Sequence, residues 1–148
     1  MLQQIIIGSL VTMLSLVVSG LGFWAAEVVF THRRRWLREP PHAGKLVLVV
    51  TGAGALVLAV VLAGVTIWTV ALRWSGLFAD WETAYYYALA SYTTVGYGDV
   101  VVTGDRRILG AMAAANGFIN IGLLTTLLIE GLGHVREGYR ETVNGREG

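Results

Sequence analysis

One short polar segment, Thr93–Val100 with the sequence TTVGYGDV, lies between two long apolar segments of the chain. Its chemistry is that of uncharged oxygen ligands. Gly96 and Gly98 can adopt backbone angles that turn successive carbonyl oxygens to one side of a strand, which a Cβ atom would oppose. The hydroxyl of Thr94 adds one more oxygen at the inner end of that column.

The rest of the sequence indicates a membrane protein. The 148 residues are 55% hydrophobic and 14% charged, which is unusual for a soluble domain. Three apolar runs, Ile5–Phe30, Leu46–Leu72 and Ile108–Ile129, each exceed the roughly 20 residues that a helix needs to cross the hydrocarbon core. We therefore predict an all-α membrane fold with three transmembrane helices, because lipid offers no partners to open backbone groups. The aromatic-rich run Trp81–Thr94 is too short to cross, and we expect a re-entrant pore helix there.

Basic residues predict the orientation of the chain. Most of them lie in the loop after the first run and in the carboxyl tail: Arg33, Arg34, Arg35, Arg38, Lys45, Arg136, Arg140 and Arg146. The positive-inside rule places this loop and the tail in the cytoplasm, with the amino terminus and the polar segment outside. We predict a multi-pass protein of the cell membrane.

Several classes of site are not expected. The chain has no cysteine, which excludes disulfides and thiolate metal sites. It shows no paired carboxylates, Ser-His pair or metal-ligand cluster in a water-accessible place, so we do not expect an enzyme. The net charge of +1 gives no indication of nucleic acid, and we expect no nucleic-acid partner.

From about Leu46 to Leu132 the chain resembles the pore module of tetrameric potassium channels, in which an outer helix, a pore helix, a filter and an inner helix follow one another. The family pattern Thr-Thr-Val-Gly-Tyr-Gly-Asp is present at Thr93–Asp99 without a substitution. The resemblance implies a homotetramer around a central pore, with K⁺ as the permeant ion and no cofactor. It also implies K⁺ sites at the carbonyls of Thr94, Val95, Gly96 and Tyr97 and at the Thr94 hydroxyl, in a filter that Gly98 completes.

The resemblance divides the chain into three parts. Residues 1–44 form an extra transmembrane helix with a basic loop, residues 45–132 form the pore module, and residues 133–148 form a short cytoplasmic tail. Relatives often carry an aromatic residue that bonds the filter Asp, so we expect Tyr87 or Trp81 to support Asp99, with Thr93 also supporting the filter. Ala90 occupies a position where some relatives have Glu, and no proline follows Asp99. Both departures bear on slow inactivation.

The inner helix offers candidate pore-lining residues, which are Asn116, Ile119, Asn120, Leu123, Thr126 and Glu130. Asn116 and Asn120 share a helix face, and either face the water cavity below the filter or bond to another helix. Glu130 either belongs to an acidic ring at the inner mouth, or lies at the helix end, where it pairs with Arg136 or faces cytosolic water. Gly117 and Gly122 are candidate hinges, or small residues for close packing.

Two readings also stay open for the first run. It is a packing helix that faces lipid, or it has a modulatory role. It does not look like a voltage sensor, because its arginines are adjacent and lie beyond the apolar run. The segment Arg33–Arg38 is an anionic-lipid contact, or serves only to orient the chain. The predicted function is passive, selective K⁺ conduction; the alternatives are a weakly selective cation channel and a non-conducting membrane subunit.

Overall fold

The computed structural model describes residues 1–38 and 42–144, and within the helices the side chains of 30, 33–38, 42–43, 46, 127–128 and 130–144 lie outside the description. Four α-helices and one 3-10 turn make up this part of the chain: α1 (Leu2–Arg38), α2 (His42–Trp74), α3 (Trp81–Tyr92), the turn Gly104–Arg106, and α4 (Arg107–Asn144). The described residues contain no strand. The predicted all-α fold is confirmed.

Three helical stretches are long and apolar enough to cross a membrane: Leu2–Val29, Val47–Trp74 and Gly104–Thr126. They agree with the three predicted spans to within a few residues. The helix α3 has 12 residues, and at 1.5 Å per residue it reaches about 18 Å, well short of a hydrocarbon core of about 30 Å. The helices α1 and α4 are longer than the apolar runs, since α1 continues through the arginine cluster and α4 continues into the segment assigned as the tail.

The end of α2 shows why the chain turns back toward α3. Gly76 has a φ of 72°, a left-handed conformation that glycine adopts without a steric penalty. Its N–H donates to the carbonyl of Arg73 at 3.1 Å, and the N–H of Leu77 donates to the carbonyl of Leu72 at 3.2 Å. This pair of bonds is a Schellman motif, which satisfies carbonyls that the last helical turn would leave open.

The short helix α3 packs against both α2 and α4, and the buried core lies where these three helices meet. Its largest fully buried side chains are Trp68 of α2 and Tyr92 at the end of α3. The remaining members of this core are Val65, Leu72, Ala88, Leu109 and Ala113. The segment that follows Tyr92 is therefore attached to the best-packed part of the protein.

The helix α1 packs along α4 and α2 through a face of small residues. Gly8, Ser15 and Gly22 recur every seven residues on this face, with Ser19 and Ala26 beside them, and the side chain of Met112 in α4 packs against Gly8. A Cβ atom at Gly22 would lie 2.7 Å from a methyl group of Val60 in α2. The opposite face keeps large apolar side chains exposed, namely Leu10, Leu14, Val17, Leu21 and Trp24.

The amino end of α1 lies beside the start of α4. The Nε2 group of Gln4 donates to the carbonyl of Asp105, and the N–H of Leu109 donates to Oε1 of Gln4 at 3.4 Å. The side chain of Gln4 thus satisfies a backbone N–H of the first turn of α4, which has no partner within the helix. The amino terminus and the loop that leads from Asp99 into α4 consequently lie at the same end of the bundle.

Candidate functional site

The helix α3 begins at a specific cap that fixes its direction. Asp80 has an extended backbone, and its Oδ1 accepts a hydrogen bond from the N–H of Thr83 at 2.7 Å. This bond from the Thr83 backbone lowers the pKa of Asp80 below its ordinary value. Glu82 adds a second negative charge in the first turn, where the helix dipole is positive. The partially negative carboxyl end of α3 is then directed toward the glycine-containing segment.

The backbone of that segment alternates in handedness. Among the residues from 93 to 99, positive φ angles occur at Thr94 (62°), Gly96 (52°) and Gly98 (78°), and at no other position. In a segment that alternates in this way, successive N–H groups point to one side and successive carbonyls to the other. The chain enters the segment through two bonds, from the N–H of Thr94 to the carbonyl of Ser91 and from the N–H of Gly96 to the carbonyl of Ala90, each 3.0 Å.

Thr94 is the only non-glycine residue with positive φ among the described residues. A left-handed conformation costs an L-residue about 1–3 kcal/mol and persists only where the surroundings impose it. The neighbouring Thr93 caps α3, since its N–H and its Oγ1 both donate to the carbonyl of Leu89, at 3.0 and 2.7 Å. The strain lies at the junction between the rigid helix and the segment that offers its oxygens.

Asp99 is held by a tyrosine of α3. The hydroxyl of Tyr86 donates to Oδ2 of Asp99 at 2.6 Å, and the N–H of Val100 donates to Oδ1 at 3.0 Å. The Tyr86 hydrogen bond lowers the pKa of Asp99 below its ordinary value, because it stabilises the charged carboxylate. The last residue of the TTVGYGD motif is therefore tied back to the helix that precedes the motif.

The prediction that Tyr87 or Trp81 supports Asp99 is wrong for the contacts within one chain. Tyr87 faces α4: its hydroxyl is 2.5 Å from the place a Cβ atom would take at Gly110, and its ring centroid is 5.1 Å from that of Phe78. Trp81 lies beneath the guanidinium of Arg73, at 5.7 Å from the ring centroid. Successive helical residues point about 100° apart, and the run of three tyrosines does not reveal which one faces the motif.

The helix α4 turns its two asparagines toward α1. Asn116 and Asn120 are both 0% exposed and lie on the face that packs against α1. The Nδ2 group of Asn120 donates to Oγ of Ser15 at 3.2 Å and to Oδ1 of Asn116 at 2.9 Å, and its Oδ1 accepts from Oγ of Ser19. The assignment of Asn116 and Asn120 as pore-lining is corrected, and their alternative role as cross-helix hydrogen-bonding residues is the one that applies.

The remaining candidates on α4 fall on a different face. Ile119 is 46% exposed, Leu123 is 44% exposed, and Thr126 is also exposed, with its hydroxyl bonded back to the carbonyl of Gly122 at 3.1 Å. Phe118, at 74% exposed, is the most open large side chain of this helix among the described residues. The side chain of Glu130 lies outside the described residues. The exposed face is free within one chain to line a pore or contact a second chain.

The family model described as ion channel matches residues 46–133, which is more than half of the chain. The chain belongs to this ion channel family. Searches of curated proteins and of solved structures gave no match. The matched residues run from the start of α2 to the middle of α4, and they include α3 and the alternating segment.

The two glycines of the channel's inner helix have different surroundings. A Cβ atom at Gly117 would lie 1.8 Å from the carbonyl oxygen of Tyr92, whereas at Gly122 it would meet nothing within 4 Å. Gly117 therefore permits direct contact between α4 and the carboxyl end of α3. The helix α4 continues without a break through both positions. A bending role for either glycine stays a prediction.

Among the described residues, no group of three or more His, Cys, Asp or Glu side chains could hold a metal ion. The carbonyls of the alternating segment stay the predicted ion ligands. Val95 and Tyr97, at 53% and 73% exposed, present their side chains outside the packed core of the single chain.

Proposed function

We propose that four copies of this chain form a K⁺-selective channel, with one alternating segment from each copy surrounding a common axis. The alternation of handedness at Thr94, Gly96 and Gly98 carries this proposal, because it supports a column of carbonyl oxygens on one side of the backbone. One chain supplies one wall of such a column. The exposed side chains of Val95, Tyr97 and the α4 face are then available for contacts between copies.

The proposed mechanism is passive. The carbonyls of Thr94, Val95, Gly96 and Tyr97, with the Thr94 hydroxyl, take over the hydration shell of K⁺, and repulsion between neighbouring ions speeds their exit. The carboxyl ends of four α3 helices add partial negative charge on the inner side, which favours a cation there. Gly98 and Asp99 form the outer end, where the Tyr86 hydrogen bond keeps Asp99 in place.

The proposed orientation places the amino terminus and the filter's outer end outside the cell, and the basic loop with the carboxyl terminus in the cytoplasm. The positions of the arginines and lysine in the sequence support it. An anionic-lipid contact at Arg33–Arg38 also stays a proposal, and those side chains lie outside the described residues.

The decisive experiment measures ion flux through purified protein in liposomes. With a tenfold K⁺ gradient and an opposite Na⁺ gradient that makes the total cation concentration equal on both sides, a K⁺-selective channel gives a reversal potential near 59 mV in magnitude. A value near zero would instead identify a weakly selective cation channel. No flux across the full range of voltage, pH and membrane tension would favour a non-conducting subunit.

The matched variants are Gly96→Ala and Gly20→Ala. A Cβ atom meets nothing within 4 Å at either position, so neither variant introduces a clash within the chain. Gly96 has a φ of 52°, which alanine disfavours, while Gly20 lies inside α1. We expect Gly96→Ala to abolish K⁺ flux with assembly intact and Gly20→Ala to conduct normally. Wild-type flux through Gly96→Ala would contradict the filter assignment.

A further inference from the structure

A buried polar network joins the extra helix α1 to the short helix α3 and to the inner helix α4. It comprises Ser15, Ser19, Tyr92, Asn116 and Asn120, and each of these residues is at most 3% exposed. Ser15 is its branch point. Its Oγ accepts from Nδ2 of Asn120 at 3.2 Å and lies 3.4 Å from the hydroxyl of Tyr92.

The donors and acceptors of this network fix its orientation. Asn120 uses both amide hydrogens, one toward Ser15 and one toward Asn116, while its oxygen accepts from Ser19. The helices α1 and α4 thus each contribute a group that the other satisfies, whereas the Nδ2 group of Asn116 is buried without a hydrogen-bond partner among the described residues. In a low-dielectric interior such bonds have no water to replace them, so a change in one helix position leaves a polar group without a partner.

Tyr92 connects this network to the filter. It is the last residue of α3, two positions before the strained Thr94. Its hydroxyl packs against Gly64 of α2, where an added Cβ atom would lie only 2.3 Å from the hydroxyl oxygen. Its carbonyl oxygen lies against Gly117 of α4. The carboxyl end of α3 is consequently held by α1 at the hydroxyl, by α2 at the ring and by α4 at the backbone.

We propose that α1 positions the selectivity filter: Ser15, acting through Tyr92 and Asn120, holds the carboxyl end of α3 and the inner helix α4 in register. This inference rests on the proposed K⁺ conduction. Ser15, Tyr92 and Asn120 are positioning residues, since none of them is a filter ligand. Loss of a bond at Ser15 frees the inner end of the filter to move, and K⁺ occupancy must then compensate.

The test compares Ser15→Ala, Tyr92→Phe and their double variant with Ser9→Ala. Ser9 is exposed on α1, so its variant removes the same atom without touching the network. Tyr92→Phe keeps the packed ring and deletes only the hydroxyl. For each protein, K⁺ flux in liposomes and the thermal unfolding midpoint of the assembled protein are measured across a series of K⁺ concentrations.

We expect Tyr92→Phe to raise the K⁺ concentration that gives half-maximal flux by about threefold, which corresponds to the average free energy of one hydrogen bond between membrane helices. Ser15→Ala should raise it by at least as much, because it deletes two bonds. The double variant should resemble Ser15→Ala, because that substitution already deletes the bond to Tyr92 together with the bond from Asn120. The unfolding midpoint should fall most at low K⁺, whereas a purely structural loss would lower it equally at all K⁺ concentrations. Ser9→Ala should behave as the wild type.

Two failures are distinguishable. A wild-type protein without K⁺ flux would refute the proposed function. A conducting wild type whose Ser15→Ala and Tyr92→Phe variants keep the K⁺ dependence of Ser9→Ala would refute only the positioning role of α1. If Ser15→Ala does not assemble, Tyr92→Phe alone decides between these results.

Discussion

Alanine at Gly117 is expected to displace the carboxyl end of α3. The added Cβ atom would lie 1.8 Å from the carbonyl oxygen of Tyr92, 2.5 Å from its carbonyl carbon and 2.7 Å from its Cα. All three are backbone atoms, so no side chain can rotate away. Ordinary packing begins at 3.4 Å, which requires the two helices to separate by about 1.6 Å. That displacement is about the 1.5 Å rise of one helical residue, and it acts two residues before the filter begins.

The matched control is Gly122→Ala, on the same helix and without any neighbour within 4 Å of the new atom. Both variants gain about 1 kcal/mol from the better helix propensity of alanine. Only Gly117→Ala bears the overpacking cost of about 1–3 kcal/mol per chain. The difference between the two variants therefore isolates the steric term, because the gain in helix propensity cancels.

The assay combines unfolding of the detergent-solubilised protein with K⁺ flux in liposomes. We expect Gly117→Ala to be less stable than Gly122→Ala by about 1–3 kcal/mol per chain and to lose flux or K⁺/Na⁺ selectivity. Gly122→Ala should keep both properties. Equal stability and equal flux of the two variants would refute the close approach of α4 to Tyr92. Equal impairment of opening in both would instead support a bending role for both glycines.

Two further predictions concern the caps of the pore region. Because the Tyr86 bond lowers the pKa of Asp99, the stabilisation it gives is present above the unfolded pKa of about 3.9 and is lost as the pH falls through the folded value. Tyr86→Phe should raise the pKa of Asp99. The acid-induced loss of single-channel current, recorded while the outer solution is titrated, should then begin at a higher pH than in the wild type. An unchanged pH profile would contradict the hydrogen bond. Asp80→Ala should lower the thermal unfolding midpoint, because the N–H of Thr83 loses its acceptor. Asp80→Asn should keep most of the cap, since its side-chain oxygen can still accept that bond. Equal midpoints for the two variants would show that the cap is unimportant.

The sequence predicted the elements of this protein well, because membrane insertion imposes length and hydropathy on each span. The three spans and the short helix α3 follow from apolar runs longer or shorter than the hydrocarbon core. The TTVGYGD motif and its position between two spans indicated the family that the match over residues 46–133 shows. These features depend on local sequence, so they could be recognised without any contact between helices.

The rotation of each helix about its axis could not be predicted in the same way. Lipid is as apolar as leucine, so a membrane helix that is hydrophobic on all sides gives no periodic signal for its buried face. For this reason the sequence did not reveal that Tyr86, and not Tyr87 or Trp81, bonds Asp99. For the same reason the sequence left two roles open for Asn116 and Asn120.

The sequence by itself determined that the chain has three helices able to cross a membrane and a glycine-containing segment between two of them. The tertiary structure decided which side chains meet, namely that α1 lies on the inner helix and that Ser15 reaches the asparagine and tyrosine behind that segment. The physical reason is that crossing a membrane is a property of one helix, whereas a buried hydrogen bond needs donors and acceptors from several helices in one place.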